Sequence, residues 1–139
     1  KNNNQYEAIK WFEKAISLVD FNDEKLVRVS VDVYFNDAVS NYHVKDWDAI
    51  YKASSKCIEL AKRFDNESRL KRMYFYKGIS LFYKNDIDGA IQNFKLSEAI
   101  VKKEEAASGE AAAQARRWRR SSGGPGLLAD SRRRTAQRR

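Results

Sequence analysis

The single cysteine, Cys57, and the single histidine, His43, could together form a thiol nucleophile and its general base. A thiol needs such a base because the thiolate is the form that attacks a carbonyl. Cys57 falls on an apolar helical stripe, where a buried and inert thiol is expected. His43 falls at the end of a predicted helix, where a surface position is expected. The sequence therefore predicts a protein that is not an enzyme, without catalytic residues or a cofactor.

Two pairs of carboxylates, Asp46 with Asp48 and Asp86 with Asp88, carry the oxygen ligands that hard cations prefer. Each pair stands where a segment with helical periodicity begins. An aspartate in that position accepts a hydrogen bond from an unpaired backbone amide and opposes the helix dipole. We therefore predict that Asp46 and Asp86 are N-caps and that the chain has no metal site.

Basic charge is concentrated near the end of the chain. Residues 1–105 carry 18 Lys and Arg against 17 Asp and Glu, whereas residues 106–139 carry nine arginines against two acidic residues. Arginines neutralise phosphates and Trp118 could stack on a base, so one hypothesis is nucleic-acid binding by this tail. The tail lacks Lys, Asn, Ile, Tyr and Phe, and this abrupt change in composition favours a vector-derived or frame-shifted extension. We expect nucleic acid as a partner only if the tail is natural.

The body, residues 1–105, has helical periodicity between turns rich in Asp and Asn. The clearest predicted helices span residues 5–19, 47–64, 67–83 and 87–103. Between the first two, Val29, Val31 and Val33 alternate with polar residues as in a strand. No other candidate strand exists to pair with this one, so we predict a helix there as well. No run of 18 apolar residues occurs, which predicts a cytoplasmic protein with no membrane partner.

The body also contains an internal repeat. The dipeptides Ala8-Ile9, Ala49-Ile50 and Ala90-Ile91 are each 41 residues apart. Helices two and three, and helices four and five, therefore read as two copies of one helical hairpin, preceded by half a copy. The predicted fold is all-α: a solenoid of about two and a half hairpins over residues 1–105, followed by a disordered Arg-rich tail over residues 106–139.

Residues 84–94 resemble the turn and second helix of a tetratricopeptide repeat. Gly78 stands 12 residues before Ala90, which matches the small residue of that repeat's first helix, and Phe94 matches its aromatic position. The resemblance implies a TPR-like α-solenoid, in which each hairpin buries its apolar face only by stacking on the next.

A narrower likeness involves residues 72–79, the turn at Asp86 and the long repeats. These are similar to the peptide-pheromone-sensing transcriptional regulators of Gram-positive bacteria. The likeness implies that the chain is the part that senses a signalling peptide, and that a DNA-reading domain precedes Lys1 in a longer protein.

The tetratricopeptide resemblance also implies a concave groove lined by helices two and four, with Ala38 and Gly78 as the small residues between helices. The groove residues that it implies are Asp32, Phe35, Asn36, Val39, Tyr42, Arg72, Phe75 and Tyr76, with Ile79 and Phe82 beyond them. Aromatic side chains supply apolar area, an asparagine pairs with backbone amides, and an arginine binds a carboxylate. The clamp with which some members hold chaperone C-termini is not reproduced, because Phe35 and Val39 stand at two of its positions.

Three hypotheses of function follow. The leading one is a scaffold that binds a peptide or protein segment in the groove, with peptide sensing for a transcriptional regulator as its specific version. The second is nucleic-acid binding through the tail. The third is an assembly module that forms a homodimer, because terminal repeats without polar caps leave apolar surface uncovered.

Overall fold

The computed structural model describes residues 2–122 and contains five α-helices. They are α1 (Asn2–Ser17), α2 (Glu24–Val44), α3 (Trp47–Arg63), α4 (Glu67–Tyr83) and α5 (Ile87–Ser122). Residues 2–122 include no β-strand, so the predicted all-α fold is confirmed. Within the same span, no helix has both the length and the apolar character that crossing a bilayer requires.

The valine segment, residues 29–33, is helical and forms part of α2. Val31 is buried at 2% exposure while Val29 is 61% exposed, which fits a helix with one face toward the core. Asp23 caps this helix, and its carboxylate accepts a hydrogen bond from the Lys25 amide at 3.0 Å. The strand-like alternation covers only part of the segment, and the helical spacing of its larger apolar residues determines the structure.

The turns that follow α2, α3 and α4 have the same construction. In each turn one residue adopts the left-handed conformation, and the amide of the next residue bonds to the carbonyl five residues earlier at 2.9–3.0 Å. The left-handed residues are Lys45, Asp65 and Asn85, with φ of 61°, 52° and 66°. The next residue in each case is the N-cap of the following helix: Asp46, Asn66 and Asp86 accept amide hydrogen bonds at 3.1, 3.3 and 3.0 Å. The predicted capping roles of Asp46 and Asp86 are confirmed.

Successive helices pack in order along the chain. Helix α1 packs on α2, and α3 packs on both α2 and α4, while α2 and α4 also contact each other directly. The most deeply buried large side chains are Ile50, Met73 and Val27, one from each of α3, α4 and α2. All three side chains belong to one core cluster, so the three helices share one core. Burying a side chain of this size stabilises a fold by about 1.5–3 kcal/mol.

A glycine sets the distance between α4 and the first part of α5. A Cβ atom at Gly78 would lie 2.6 Å from Cε1 of Phe94, closer than two carbons can approach. The Phe94 ring therefore rests against the bare backbone of α4. Nearby, the Ser97 hydroxyl donates to the Lys71 carbonyl at 2.9 Å. The tetratricopeptide resemblance matches Gly78 to a small position and Phe94 to an aromatic position, and these two residues are in contact.

Helix α5 continues beyond its predicted end near Lys103 and reaches Ser122. Alanine and arginine make up ten of the 17 residues from 106 to 122, and both favour helix. Residues 106–122 are therefore helical where the sequence analysis expected disorder, and the remaining tail, residues 123–139, lies outside the described residues. The described residues divide into two compact units, 2–101 and 102–122.

Candidate functional site

The predicted groove residues lie on α2 and α4, which contact each other within the first unit. We call their shared surface the α2/α4 face; it comprises Asp32, Phe35, Asn36, Val39, Tyr42, Arg72, Phe75, Tyr76, Ile79 and Phe82. Phe35 and Tyr76 are buried, at 4% and 9% exposure, and belong to the core. Val39 is half-buried against that core, whereas Asn36, Arg72 and Phe75 are exposed. The face thus contains exposed, half-buried and buried positions.

One end of this face is an arginine cluster, formed by Asp32, Phe35, Arg69, Arg72 and Tyr76. The Asp32 carboxylate accepts from Nε and Nη2 of Arg69, both at 3.1 Å. The Arg69 guanidinium also lies 3.9 Å from the centroid of the Phe35 ring. Phe35 therefore serves as an apolar floor for a paired arginine, and the charge of Arg69 is already matched by Asp32.

Arg72 has different surroundings from Arg69. Its guanidinium lies 5.1 Å from the centroid of Phe35, and its Nη2 donates to the Tyr76 hydroxyl at 3.4 Å. No carboxylate among the described residues forms an ion pair with Arg72. Beside it is a small cavity of about 240 Å³ whose lining includes Phe75, which is 48% exposed, and Ser97. A guanidinium held by aromatic rings and without a carboxylate partner is suited to bind a carboxylate in a bidentate manner.

The other end of the face is an aromatic pocket of about 540 Å³. Its lining residues are Tyr42, His43, Lys45, Trp47, Ile79, Phe82, Tyr83 and Phe94. The rings of Trp47 and Tyr83 stack at 4.1 Å with an interplanar angle of 8°, which gives the pocket one rigid wall. Phe82 is 51% exposed, so much of the pocket's apolar surface is open to solvent.

Tyr42 connects the two ends of the face. Its ring lies 5.1 Å from that of Tyr76 in the arginine cluster and 5.9 Å from that of His43 in the pocket. Phe75 and Phe94 form a second link, with centroids 5.7 Å apart. Aromatic contacts of this kind add about 0.5–1.5 kcal/mol beyond buried area, and they hold the rings in fixed positions relative to one another.

A second cavity, of about 660 Å³, lies between α1, α2 and α3. Asp37 lines it at 7% exposure, and its carboxylate accepts from Nδ2 of Asn41 at 3.2 Å. Burial, and to a lesser extent the nearby carboxylates of Glu13 and Asp46, raise the pKa of Asp37 to about 6, although the hydrogen bond from Asn41 lowers it in part. The Ser55 hydroxyl, on the same cavity, is buried without a hydrogen-bond partner among the described residues. Because its folded pKa is raised, the buried Asp37 carboxylate destabilises the fold when it is ionised.

Cys57 and His43 do not form the nucleophile and base considered from the sequence. Cys57 is fully buried in the core and its thiol donates to the Val31 carbonyl at 3.5 Å. Burial raises the pKa of Cys57 to about 12, so the thiolate is not populated near neutral pH. His43 is exposed in the last turn of α2 and borders the aromatic pocket.

The acidic pairs have structural partners. Asp48 forms an ion pair with Lys84 at 2.9 Å, while Asp46 and Asp86 cap helices. Among residues 2–122 no group of three or more His, Cys, Asp or Glu side chains is arranged to hold a metal ion.

In the second unit, the described part of the arginine tail forms the last turns of α5. The four arginines are Arg116, Arg117, Arg119 and Arg120, and all are exposed. A helix turns about 100° per residue, so Arg116 and Arg120 lie on the side opposite Trp118. The indole and those two guanidinium groups therefore cannot contact the same nucleotide from one side.

Several residues that line the aromatic pocket are not among the groove residues predicted from the sequence. Tyr83 stands one helical turn after Ile79, so extending the face by one turn would have found it. Trp47 and Lys45 enter the pocket through the turn after α2, whose left-handed residue brings the start of α3 beside the end of α4. Comparison with protein-family models, with curated proteins and with solved structures finds no match to this chain.

Proposed function

We propose that this protein is a non-enzymatic helical-repeat scaffold that binds a peptide or protein segment on its α2/α4 face. The observation that carries the proposal is the pairing on one face of an open aromatic pocket with Arg72, whose charge no carboxylate of the described chain matches. Peptide grooves commonly use such surfaces, because rings supply apolar contact and a few polar groups fix the orientation of the ligand.

A specific version of the proposal follows from the resemblance to peptide-sensing regulators. In that version the ligand is a short signalling peptide, the parent protein is a cytoplasmic transcriptional regulator, and peptide binding changes how the repeats stack. The tetratricopeptide-repeat relationship itself is part of the proposal, supported by the repeated turns and by the contact between Gly78 and Phe94.

The test is selection of random peptides, displayed on phage, against the full 139-residue chain. Selected peptides would be synthesised, and their affinity measured for the wild type and for Asn36→Ala, Arg72→Ala and Phe82→Ala. We expect each substitution to weaken binding about fivefold or more, since each removes a contact worth about 1 kcal/mol. Trp11→Ala is the matched control, because Trp11 is 61% exposed on α1, away from the face. If binding weakens only with Trp11→Ala, the face is not the binding surface.

The tail supports a second candidate function, nucleic-acid binding. Its basis is the four exposed arginines near the end of α5. Changing all nine arginines of residues 106–139 to Gln should abolish binding to a single-stranded oligonucleotide, and the wild-type affinity should fall steeply as salt rises. Binding that survives the nine substitutions would contradict this function.

The assembly hypothesis also has an observation in its favour. Helix α1 and the loop after it expose Trp11, Leu18 and Phe21, at 61%, 74% and 47%. A homodimer through this surface should dissociate on Leu18→Glu, which sedimentation velocity would detect. A wild-type protein that stays monomeric at high concentration would contradict it.

A further inference from the structure

Helix α4 carries Arg72 and two residues of the aromatic pocket on the same side of the helix, at a fixed separation. Arg72 and Ile79 are seven residues apart, and Tyr83 is four residues further. Seven and eleven residues are close to two and three whole turns, so the three side chains point the same way. At 1.5 Å per residue, Arg72 lies about 10–16 Å along the helix axis from the pocket residues.

The charges around both sites favour a negatively charged ligand. Arg69 is neutralised by Asp32, whereas Arg72 remains available. The aromatic pocket has no acidic residue in its lining, which includes His43 and Lys45. The body as a whole is close to neutral, so this local excess of positive charge is a property of the face rather than of the composition.

The separation limits how the ligand can be spaced. An extended peptide advances about 3.3 Å per residue, so a separation of about 10–16 Å corresponds to three to five residues. A helical ligand advances about 1.5 Å per residue and would need about seven to eleven. Phe75 and Phe82 are 48% and 51% exposed and stand seven residues apart on α4. Such spaced apolar groups suit an extended chain, whose alternate side chains face the surface.

We propose that the α2/α4 face selects an extended acidic peptide, with an Asp or Glu side chain on Arg72 and a large apolar side chain in the aromatic pocket three to five residues away. This inference rests on the proposed peptide-binding function and adds to it the class of ligand and its spacing. The carboxylate is a side chain of the ligand rather than its C-terminus.

The test uses twelve-residue peptides in a background of Ser, Thr and Gln, each with one Asp and one Phe at separations from one to eight, in both orders. Acetylated and amidated ends leave the Asp as the single carboxylate. Fluorescence anisotropy of the labelled peptides with the full chain should show tightest binding at separations three to five. Peptides with separations of one or eight should bind about tenfold more weakly, since a charge-assisted hydrogen bond is lost.

Two substitutions, one in the peptide and one in the protein, test whether the peptide carboxylate binds Arg72. Replacing the peptide Asp by Asn should weaken binding about tenfold, and so should Arg72→Gln in the protein, but the two changes together should cost little more than either alone. Arg63→Gln, an exposed arginine at the end of α3, should leave affinity unchanged. The Asp-to-Asn peptide leaves the protein sequence intact, so its result is independent of any effect of Arg72→Gln on folding.

The outcomes separate this inference from the proposed function. Binding that depends on Phe82 but not on the separation, the peptide Asp or Arg72 would overturn the inference and leave peptide binding in place. Tightest binding at a separation of seven or eight would contradict the extended conformation. If none of these peptides binds at about 1 mM while phage-selected peptides do, the inference is overturned and the proposed function stands, and if neither set binds, both are contradicted.

Discussion

Replacing Asp37 with Asn should stabilise this protein at neutral pH and remove part of its pH dependence. Burial and the carboxylate of Glu13 raise the pKa of Asp37 in the fold to about 6, from an ordinary value of 3.8. The folded pKa is raised, so the stability that Asp37 contributes is full below pH 4 and is lost as the pH rises through 6. Ionised Asp37 therefore lowers the free energy of unfolding at pH 7.

The magnitude follows from the shift. About two pKa units at 1.36 kcal/mol each give a penalty of about 3 kcal/mol at pH 7, most of which appears between pH 4 and pH 7. Asparagine carries no charge and keeps an oxygen that can accept the bond from Asn41. Since the new amide group must itself be accommodated at the cavity, we expect Asp37→Asn to gain about 1–2 kcal/mol at pH 7 and little or nothing at pH 4.

The assay is urea denaturation of both proteins at pH 4, 5, 6 and 7 at constant ionic strength. The quantity of interest is the difference in unfolding free energy between wild type and variant, because contributions of other titrating groups cancel in it. Glu7→Gln, on the exposed side of α1, is the control and should show no pH-dependent difference. A difference for Asp37→Asn that is the same at pH 4 and pH 7 would refute the reasoning.

Three further predictions concern the positions that hold the helices together. Gly78→Ala should lower the free energy of unfolding by about 1 kcal/mol, since overpacking against Phe94 exceeds the gain in helix propensity. The control Gly109→Ala, with open space around it, should leave the melting temperature unchanged or higher. Equal melting temperatures for the two variants would contradict the close contact at Gly78. Lys45→Gly should raise the free energy of unfolding by about 0.5–1 kcal/mol, because glycine adopts φ of 61° without strain; a loss in urea denaturation would count against this. Cys57 should react with a thiol reagent only as the protein unfolds, and stoichiometric labelling of the native protein would show that it is not buried.

The helices were predictable because their boundaries are local. The cap residues Asp46 and Asp86 mark where α3 and α5 begin, and α4 occupies the predicted residues 67–83. For the valine segment, residues 29–33, the local pattern alone predicts a strand. A helix is predicted there because no second strand exists to pair with its backbone groups. The change in composition near Glu105 predicts an end of α5 near Lys103, but the helix continues to Ser122 because the alanines and arginines after Glu105 favour helix.

The site was predicted less completely than the fold. The tetratricopeptide resemblance implied that Phe35 and Tyr76 share a face with Arg72, and both lie beside its guanidinium, but the resemblance does not distinguish a ring that lies open from one covered by the next helix. Burial of Phe35 depends on Arg69, which comes from α4 and covers it. Trp47 lies in the pocket, stacked on Tyr83, because the turn after α2 places the start of α3 there, and helical periodicity does not predict the geometry of a turn.

The most direct test of the account is to map the shifts of backbone amide resonances when a selected peptide binds to the full chain. We predict that the largest shifts fall on the α2/α4 face, at Asn36, Tyr42, Arg72 and Phe82. Shifts confined to α1, or to the arginines that end α5, would contradict the central claim.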